Sequence, residues 1–391
     1  MASPFPLLPL ESHLFSLLLS ACPPQLTPRV AGGWVRDKLL GLQSDDIDVA
    51  VDEGTGEAFA ARVLAYAAEH GIDLRADPTA DPTPKKARTA APPAPPAPPT
   101  VAVIQCNPGQ SKHLCTATAR IYTLSLDFVN LRSETYAASR IPAAERGTAL
   151  DDAERRDFTL NSLFYNLRSG AVEDFTGRGL ADLRARVLRT PLPPATTFRD
   201  DPLRALRAVR FASRFGLELD PPVRAALGSA EVRGALLGKV SRERVGIEVE
   251  GMLSGKGADP KRSFGLLAAA GLLPAVFPPP PPPHFRVGEG GADVETLQAA
   301  PALSPPPPSL PEILSLLPGP FDPSLPRTLH LAFPLLPWSS LQFDEPSSKA
   351  GSKLVKRRAL PHYAVRDGLK LRTADADAVQ LLLAAVPGAK G

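Results

Sequence analysis

The chain has 391 residues, of which 43% are hydrophobic, so it is long enough for two or three domains and is neither a peptide nor a disordered tail. Its formal charge of +3 is too small to indicate a nucleic-acid partner by itself, and any basic surface must come from local clustering. Three cysteines without a signal peptide argue against a disulfide framework, and no apolar run is long enough to span a membrane.

The N-terminal segment, residues 1–28, is interpreted as a leader with one short helix from Glu11 to Ala21, and no chemistry is assigned to it.

Residues 32–48 combine a glycine pair, an arginine and two carboxylates. Glycines allow backbone N–H groups to approach an anion, and a helix that begins near Trp34 would direct its positive end to the same place. This stretch therefore predicts a phosphate-binding site.

A strand is predicted directly after Ser44, because Asp46 and Asp48 alternate with apolar residues. The alternation places both carboxylates on one face of the strand, roughly 6.6 Å apart along the backbone. That spacing suits a divalent cation. A phosphate site followed by a strand carrying Asp-x-Asp provides the groups that magnesium-dependent nucleotidyl transfer requires.

A third carboxylate, Asp127, lies in a second predicted strand that runs from Ile121 to Arg132. It would join the Asp-x-Asp pair if the two strands were neighbours, and otherwise it would be a solvated strand residue; the sequence leaves both interpretations open.

Between these two predicted strands, a helix is predicted from Glu57 to His70. Residues 77–100, rich in Ala, Pro and Thr, are interpreted as a disordered insert.

Residues 151–166 are predicted to present a buried helix face, and Arg155, Arg156 and Asp157 lie side by side at its start. Guanidinium groups suit phosphate because they donate several hydrogen bonds to its oxygens. A surface salt network is the alternative that this stretch also allows. The apolar residues of the face are Phe158, Leu160, Leu163 and Phe164.

A basic helix is predicted to begin at Pro202, and its arginines fall in one arc of the helical wheel while its large apolar residues fall in another. Asp201 is either a plain N-cap or a functional neighbour of Arg204, and the arginine face is either solvated or functional. With the upstream motifs, the functional interpretation is preferred. The arginines of the basic face are Arg204, Arg207, Arg210 and Arg214.

Residues 241–253 are predicted to form another helix, with an Arg244–Glu248 pair.

Taken together, these motifs resemble the class II tRNA nucleotidyltransferases, the CCA-adding enzymes that are related to bacterial poly(A) polymerases in the polymerase-β superfamily. Four motifs stand in the family's order over roughly residues 29–277. They are Gly-Gly-x-Val-Arg-Asp with Asp-Ile-Asp (32–48), Asp-Phe-Val-Asn-Leu-Arg-Ser-Glu-x-Tyr (127–136), Arg-Arg-Asp-Phe-Thr (155–159) and Asp-Asp-Pro-Leu-Arg-x-Leu-Arg-x-x-Arg-Phe (200–211).

The resemblance implies an α+β fold, with a polymerase-β-like nucleotidyltransferase head built on a mixed or antiparallel sheet with helices, followed by an all-α neck and body. The expected bounds are 1–28 for the leader, 29–190 for the head with the insert at 77–100, 191–277 for the neck, 278–330 for a Pro-rich linker and 331–391 for a short or truncated helical body.

The resemblance also implies roles for individual residues. Asp46 and Asp48 match the family's catalytic carboxylates, which bind Mg²⁺. Asp201 and Arg204 match the pair that reads the incoming base, and Trp34 stands where the family usually has a small residue. The positions that bind the nucleotide are matched by Gly32, Gly33, Arg36, Arg156, Asp157, Asp201, Arg204, Arg207 and Arg210.

The implied activity is template-independent addition of C, C and A to tRNA 3′ ends from CTP and ATP, in which the 3′-hydroxyl attacks the α-phosphorus and pyrophosphate leaves. A poly(A) polymerase, or an enzyme that adds only CC or only A, is the alternative within the enzyme class. A catalytically inactive RNA-binding protein is the alternative outside it. We expect a cytoplasmic protein, with a mitochondrial or nuclear pool left open, and no membrane or protein partner is implied.

Overall fold

The computed structural model describes residues 4–79, 102–104, 116–135, 143–278, 325–338, 342–346 and 355–384. The chain divides into two compact units. The first contains the residues up to Ala185 together with Arg189–Leu192, and the second contains Arg186–Leu188 and the residues from Pro193 onwards. The predicted insert at 77–100 and the predicted linker at 278–330 lie almost entirely outside the described residues. Among the described residues, no helix has the length and apolar character that crossing a membrane requires.

In the part of the first unit that the structure describes, there are nine short strands. They are β1 (Arg29–Ala31), β2 (Asp46–Val51), β3 (Ala102–Ile104), β4 (Thr116–Ile121), β5 (Leu124–Asn130), β6 (Arg132–Thr135), β7 (Ala143–Arg146), β8 (Phe164–Asn166) and β9 (Ala171–Glu173). Seven of them form one sheet in the order β3-β4-β5-β2-β1-β8-β9, and β6 pairs with β7 in a separate ribbon. The central pair β2 and β5 is parallel, whereas the other neighbouring pairs are antiparallel. The sheet is therefore mixed, in agreement with the prediction for the head.

Among the described residues of this unit, five helices accompany the sheet, and a 3₁₀ turn covers Thr159–Asn161. The predicted helix from Glu57 to His70 is confirmed to within one residue at each end, and Gly71 follows it with a positive φ of 66°. Glycine adopts this left-handed conformation without the steric cost that a Cβ atom brings, so it suits a helix end. The helices are α1 (Pro9–Ser20), α2 (Gly33–Leu39), α3 (Gly56–Glu69), α4 (Ala149–Glu154) and α5 (Gly179–Ala185).

The predicted strand from Ile121 to Arg132 is confirmed over β5, Leu124–Asn130, but its predicted start is wrong. The chain turns at Tyr122 and Thr123, so that β4 and β5 form an antiparallel hairpin. Tyr122 adopts a φ of 59°, which the sequence does not signal because neither glycine nor proline stands in the turn. The alternation of apolar residues is the same in both arms, and it therefore hides the reversal.

The prediction of a buried helix face over residues 158–164 is also wrong in its secondary structure. Helix α4 ends at Glu154, and after the 3₁₀ turn the chain enters β8, where Phe164 pairs with Ala31 of β1. The four apolar residues named for that face are nevertheless all fully buried. Burial was predictable because the residues are large and apolar, whereas their spacing fits a turn followed by a strand as well as it fits a helix.

The second unit is mainly helical, in agreement with the predicted fold class. Where an all-α neck and body was expected, its described residues also form two two-stranded ribbons. Its strands are β10 (Val187–Leu188), which is parallel to β11 (Glu218–Leu219), and β12 (Gln342–Pro346), which is antiparallel to β13 (Val355–Ala359). Its helices are α6 (Pro194–Asp200), α7 (Leu203–Arg214), α8 (Pro221–Leu227), α9 (Ala230–Lys239), α10 (Arg242–Leu253), α11 (Pro260–Ala269), α12 (Leu273–Val276), α13 (Leu325–Ala332), α14 (Leu360–Tyr363) and α15 (Thr373–Ala384). A 3₁₀ helix covers Phe333–Trp338 and a π-helical turn covers Ala364–Gly368.

Candidate active site

The sheet of the first unit brings three aspartates together at its centre. Strands β2 and β5 are parallel neighbours, and their register places Asp48 directly opposite Asp127. Asp46 lies two residues before Asp48 on the same face of β2. Asp127 accepts a hydrogen bond from the Thr118 hydroxyl at 2.7 Å, which fixes the orientation of its carboxylate. The open question about Asp127 is thereby settled in its geometry, because its strand does neighbour the Asp-x-Asp strand.

The electrostatics of Asp48 favour a cation. Burial raises the pKa of its carboxyl above the ordinary value, and Asp127, Asp46 and Asp152 add to this rise, while Arg156 opposes it. Within the described parts of the chain, no three His, Cys, Asp or Glu side chains converge as a preformed metal cage. Magnesium commonly takes one or two protein carboxylates and completes its shell with water and substrate phosphates, and crowded carboxylates of this kind suit such a site.

The glycine pair begins with a residue whose conformation excludes other side chains. Gly32 has a φ of 70°, and a Cβ atom added there would lie 2.7 Å from Nη1 of Arg156. Its N–H donates to the carbonyl oxygen of Leu163 at 2.9 Å, so this amide is used within the protein. Gly32 therefore allows Arg156 to approach the backbone, and Gly33 starts helix α2 directly after it.

Arg36 is held by a buried hydrogen-bond network that joins the first and third sequence motifs. Its Nη2 lies 2.7 Å from Oδ1 of Asp37, and its Nη1 donates to Oδ1 of Asn161 at 2.6 Å. The amide of Asn161 in turn donates to Asp157 at 2.9 Å, and Asp157 also accepts from the backbone N–H of Phe158. Asn161 was not among the predicted site residues. Its only sequence signal is that it is a polar residue in a buried apolar run just after Arg-Arg-Asp.

Asp152 is a second residue that sequence reasoning missed. It is buried in α4 and accepts from Arg155 Nε at 2.9 Å and from Arg156 Nη2 at 2.8 Å. Burial opposes its ionisation, yet the two guanidinium groups hold the pKa of Asp152 below its usual value. The salt network that the sequence allowed is therefore present, and it orients Arg156, whose guanidinium also lies over the ring of Phe164.

The second unit contains the basic helix α7, which begins one residue after the predicted start. Its large apolar residues are buried, whereas Arg204, Arg207 and Arg210 are half-buried on the other side. Asp201 precedes the helix, and its carboxylate accepts the backbone N–H of Leu203 at 3.2 Å. The N-cap residue of α7 is Pro202, which makes no side-chain capping hydrogen bond, so Asp201 is not the N-cap that the sequence allowed, although its carboxylate binds the first N–H of the helix.

The predicted Arg244–Glu248 pair within α10 is wrong, because both side chains bind the neighbouring segment instead. Arg244 Nη2 lies 2.8 Å from Oδ2 of Asp201, and Glu248 accepts from Nε of Arg210 at 2.6 Å. A carboxylate oxygen of Glu248 is also 3.7 Å from Nη1 of Arg207. Helix α10 thus holds three of the residues that sequence reasoning assigned to nucleotide binding.

Comparison with known proteins identifies relatives of this chain. Residues 28–81 and 96–189 match the model of the Poly A polymerase head domain. The chain is 48% identical over 234 residues to the protein named CCA tRNA nucleotidyltransferase, mitochondrial, of Saccharomyces cerevisiae, covering 60% of this chain and 39% of that protein. It is 39% identical over 352 residues to tRNA nucleotidyltransferase cca2 of Schizosaccharomyces pombe, covering 89% of this chain and 64% of that protein.

The fold is shared with a solved structure described as a CCA-adding enzyme in apo form II, with a TM-score of 0.56 and 21% identity over 97% of this chain and 72% of that one. The predicted fold class is thus confirmed. Nucleotidyltransferases of this family generally depend on a metal ion. From the head-domain match, the two fungal relatives and the shared fold, we conclude that the chain belongs to the class II tRNA nucleotidyltransferase family.

Proposed function

We propose that this protein adds C, C and A to tRNA 3′ ends from CTP and ATP without a nucleic-acid template. The observation that carries the proposal is the pairing of Asp48 with Asp127 on adjacent parallel strands, with Asp46 beside them, inside a matched head domain. A protein that only bound RNA would gain nothing from three carboxylates at neighbouring positions of one sheet, because they repel phosphate. The names of the fungal relatives support the same activity.

Asp46 and Asp48 would hold Mg²⁺. A metal ion bound there would neutralise part of the triphosphate charge and lower the pKa of the attacking hydroxyl. Asp127, which Thr118 orients, is a third carboxylate for the same site. Burial, and after it the neighbouring carboxylates, raise the pKa of Asp48, and a cation bound there would stabilise the charged form of this carboxyl.

The triphosphate is assigned to Gly33 and Arg36, with Gly32 beside them, and the nucleotide with its ribose is assigned to Arg156 and Asp157. Arg36 is only 5% exposed and its guanidinium is oriented by Asn161 before any substrate binds, so little side-chain entropy is lost on binding. The network through Asn161 connects Arg36 to Asp157, the residue that the family resemblance places at the nucleotide and its ribose. Arg156, with its Asp152 partner, contributes positive charge next to Asp48.

Base selection is assigned to Asp201 with Arg204, and Arg207 and Arg210 complete the nucleotide contacts. Cytosine and adenine both present an exocyclic amine donor beside a ring-nitrogen acceptor, whereas uracil and guanine present a carbonyl beside an N–H. A carboxylate acceptor and a guanidinium donor match the first pattern and leave unpaired groups against the second. This accounts for the use of two nucleotides, CTP and ATP, and the rejection of UTP and GTP.

The chain spans about two fifths of the length of the Saccharomyces relative and 64% of the Schizosaccharomyces one, so the activity, tRNA substrate and nucleotide substrates of the whole protein are part of this proposal. We place the activity in the cytoplasm. The Saccharomyces relative is named as mitochondrial, and cell fractionation with an antibody against this chain would show whether a mitochondrial pool exists.

The test is extension of a tRNA that lacks its CCA end by the purified protein with Mg²⁺. Each nucleotide is offered singly, then CTP and ATP together, and the products are sequenced. Ordered C, C, A addition supports the proposal. Long A tails would identify a poly(A) polymerase, addition of only CC or only A would identify a partial enzyme, and no extension together with retained tRNA binding would identify an inactive RNA-binding protein.

A further inference from the structure

The N-terminal helix α1 contains a fully buried acid. Glu11 is 1% exposed, although it lies in the first turn of a helix whose other polar residues face solvent. One of its oxygens, Oε2, accepts the backbone N–H of Leu8 at 2.8 Å, which is ordinary helix capping. Helix capping does not require a buried carboxylate, so the contacts of the second oxygen, Oε1, must explain why Glu11 is buried.

Oε1 of Glu11 accepts from two side chains of helix α2. The indole N–H of Trp34 donates to it at 3.1 Å, and Nζ of Lys38 lies 2.7 Å from it. The side chains of Lys38 and Glu11 are 3% and 2% exposed, and the ammonium also lies 5.4 Å from the centre of the Trp34 ring. The two helices are therefore joined by an ion pair that is closed to water.

The aromatic residues around Trp34 complete this junction. Phe5 and Phe15 both meet its indole edge to face, with ring centroids 5.5 Å away, and Tyr165 of β8 lies 5.8 Å away. Phe5 and Phe15 precede residue 28, where the match to the head-domain model begins. The bulky residue at position 34 is thus accommodated by a segment to which sequence reasoning assigned no chemistry.

We propose that Glu11 is a positioning residue for the triphosphate site, acting through Trp34 and Lys38 on helix α2. The inference rests on the proposed function, since α2 also carries Gly33 and Arg36, the assigned triphosphate ligands. Helix α2 has only seven residues, so it cannot keep its own orientation and depends on contacts with its surroundings. Arg36 fixes one side of it through Asn161, and the Glu11–Lys38 pair fixes the side carrying Trp34.

The ion pair acts as a unit because each charge would be poorly tolerated alone. Removing one partner of a buried pair leaves an uncompensated charge, whereas replacing both with neutral side chains of similar size is often well tolerated. Loss of Glu11 alone therefore forces Lys38 toward water and turns α2 with it. Loss of both charges leaves the helix in place, supported by the aromatic contacts.

The test compares Glu11→Gln with the double variant Glu11→Gln/Lys38→Met. Leu18→Ala, a fully buried truncation on the same helix, is the control for general loss of stability. For each protein we measure Tm, the KM values for CTP and for tRNA, and the Kd of CTP by calorimetry without tRNA. Glu11→Gln is expected to raise KM and Kd for CTP about tenfold while kcat and the KM for tRNA change less than about twofold. The double variant is expected to return to within about threefold of the wild type.

The inference is overturned if Glu11→Gln leaves CTP binding unchanged, if Leu18→Ala weakens CTP binding equally at an equal loss of Tm, or if the double variant binds no better than Glu11→Gln. Failure of the proposed function is a separate result. If the wild-type protein binds CTP but extends no tRNA, the proposed function is wrong and the calorimetric comparison still decides the role of Glu11. If the wild type binds no nucleotide, both are wrong.

Discussion

The guanidinium of Arg244 lies 2.8 Å from the carboxylate of Asp201, so the residue assigned to base reading is held in place by a neighbouring helix. The same carboxylate also accepts the N–H of Leu203, the first residue of α7. With one oxygen bound at each side, Asp201 has little freedom to rotate. Preorganised acceptors of this kind discriminate between bases because they cannot adjust to a wrong hydrogen-bonding pattern.

Replacing Arg244 should therefore relax base choice without stopping chemistry. For Arg244→Met we expect the preference for CTP over UTP, as a ratio of kcat/KM values, to fall about tenfold, with kcat for CTP nearly unchanged. Arg244→Lys keeps the charge and should retain part of the discrimination. Asp201→Ala removes the carboxylate itself and should therefore give the largest loss of preference for CTP over UTP. If the Arg244 variants kept full discrimination against UTP while Asp201→Ala lost it, the proposed role of Arg244 would be wrong. If Asp201→Ala itself still rejected UTP as strongly as the wild type does, the assignment of base reading to Asp201 would be wrong.

The contrast between α7 and α10 shows what the sequence can and cannot provide. The arginine arc depends on residues within a few positions of one another, and helical periodicity predicted it. The hydrogen bond from the N–H of Leu203 to Asp201 is equally local, although Pro202 and not Asp201 is the N-cap. The partners of Arg244 and Glu248 depend on how α10 packs against α7. The i,i+4 pair is the nearest partner in sequence, but in the structure Asp201 and Arg210 bind these two side chains.

A second prediction concerns stability and pH at Asp48. The pKa of its carboxyl is raised by burial and by neighbouring carboxylates, so the folded protein holds this proton more tightly than the unfolded chain does. The free energy of unfolding should then decrease as the pH rises from the ordinary value of 3.8 through the raised pKa. In metal-free buffer at pH 7, Asp48→Asn should raise Tm by about 1–3 °C.

That variant should lose tRNA extension by about a thousandfold or more, because the proposed metal ligand is removed, while tRNA binding is retained. Asp45→Asn, at an exposed neighbouring position, is the matched control and should change neither property. The gain in Tm should diminish in acidic buffer, where the wild-type carboxyl is also neutral. A lower Tm for Asp48→Asn at pH 7 would contradict the electrostatic account of the site.

The head illustrates a similar limit of sequence reasoning. The alternation after Ser44 correctly predicted a strand with Asp46 and Asp48 on one face. The position of Asp127 could not be predicted in the same way, because it depends on β5 lying parallel to β2 in one particular register. Strand order is a property of the whole sheet, and the intervening β3, β4 and α3 give no local signal of it.

A third prediction tests the network through Asn161, which accepts from Arg36 and donates to Asp157. Asn161→Leu has a similar shape but satisfies neither partner, so it should destabilise the protein by about 1–3 kcal/mol and weaken CTP binding about tenfold or more. Asn166→Leu is the matched control, since Asn166 is also buried but its amide donates to Glu173. It should lose stability in urea titration while CTP binding stays close to wild type. Equal weakening of CTP binding by both variants would contradict a specific role for Asn161.

The last prediction concerns the contact between α10 and the segment that follows the π-helical turn. A Cβ atom built on Gly246 would lie 1.8 Å from the carbonyl oxygen of Leu369, a separation that backbone atoms cannot tolerate. Gly246→Ala must therefore move α10 or the segment around Leu369, and overpacking of this kind should destabilise the protein by about 1–3 kcal/mol. Because α10 carries Arg244, discrimination against UTP should fall as well. Gly234→Ala in α9 is the control, since no atom lies within 4 Å of its added Cβ.

Alanine is the better helix former, so Gly234→Ala should stabilise the protein by about 0.4–1 kcal/mol, and the two substitutions should differ in sign. Urea midpoints at constant slope measure both effects, and extension assays with CTP and UTP follow the consequence for base choice. If Gly246→Ala were as stable as Gly234→Ala, the close approach of α10 to Leu369 would be wrong. If Gly246→Ala were less stable but kept full discrimination, the shift would be absorbed by the segment around Leu369, and α10 would hold Asp201 independently of it.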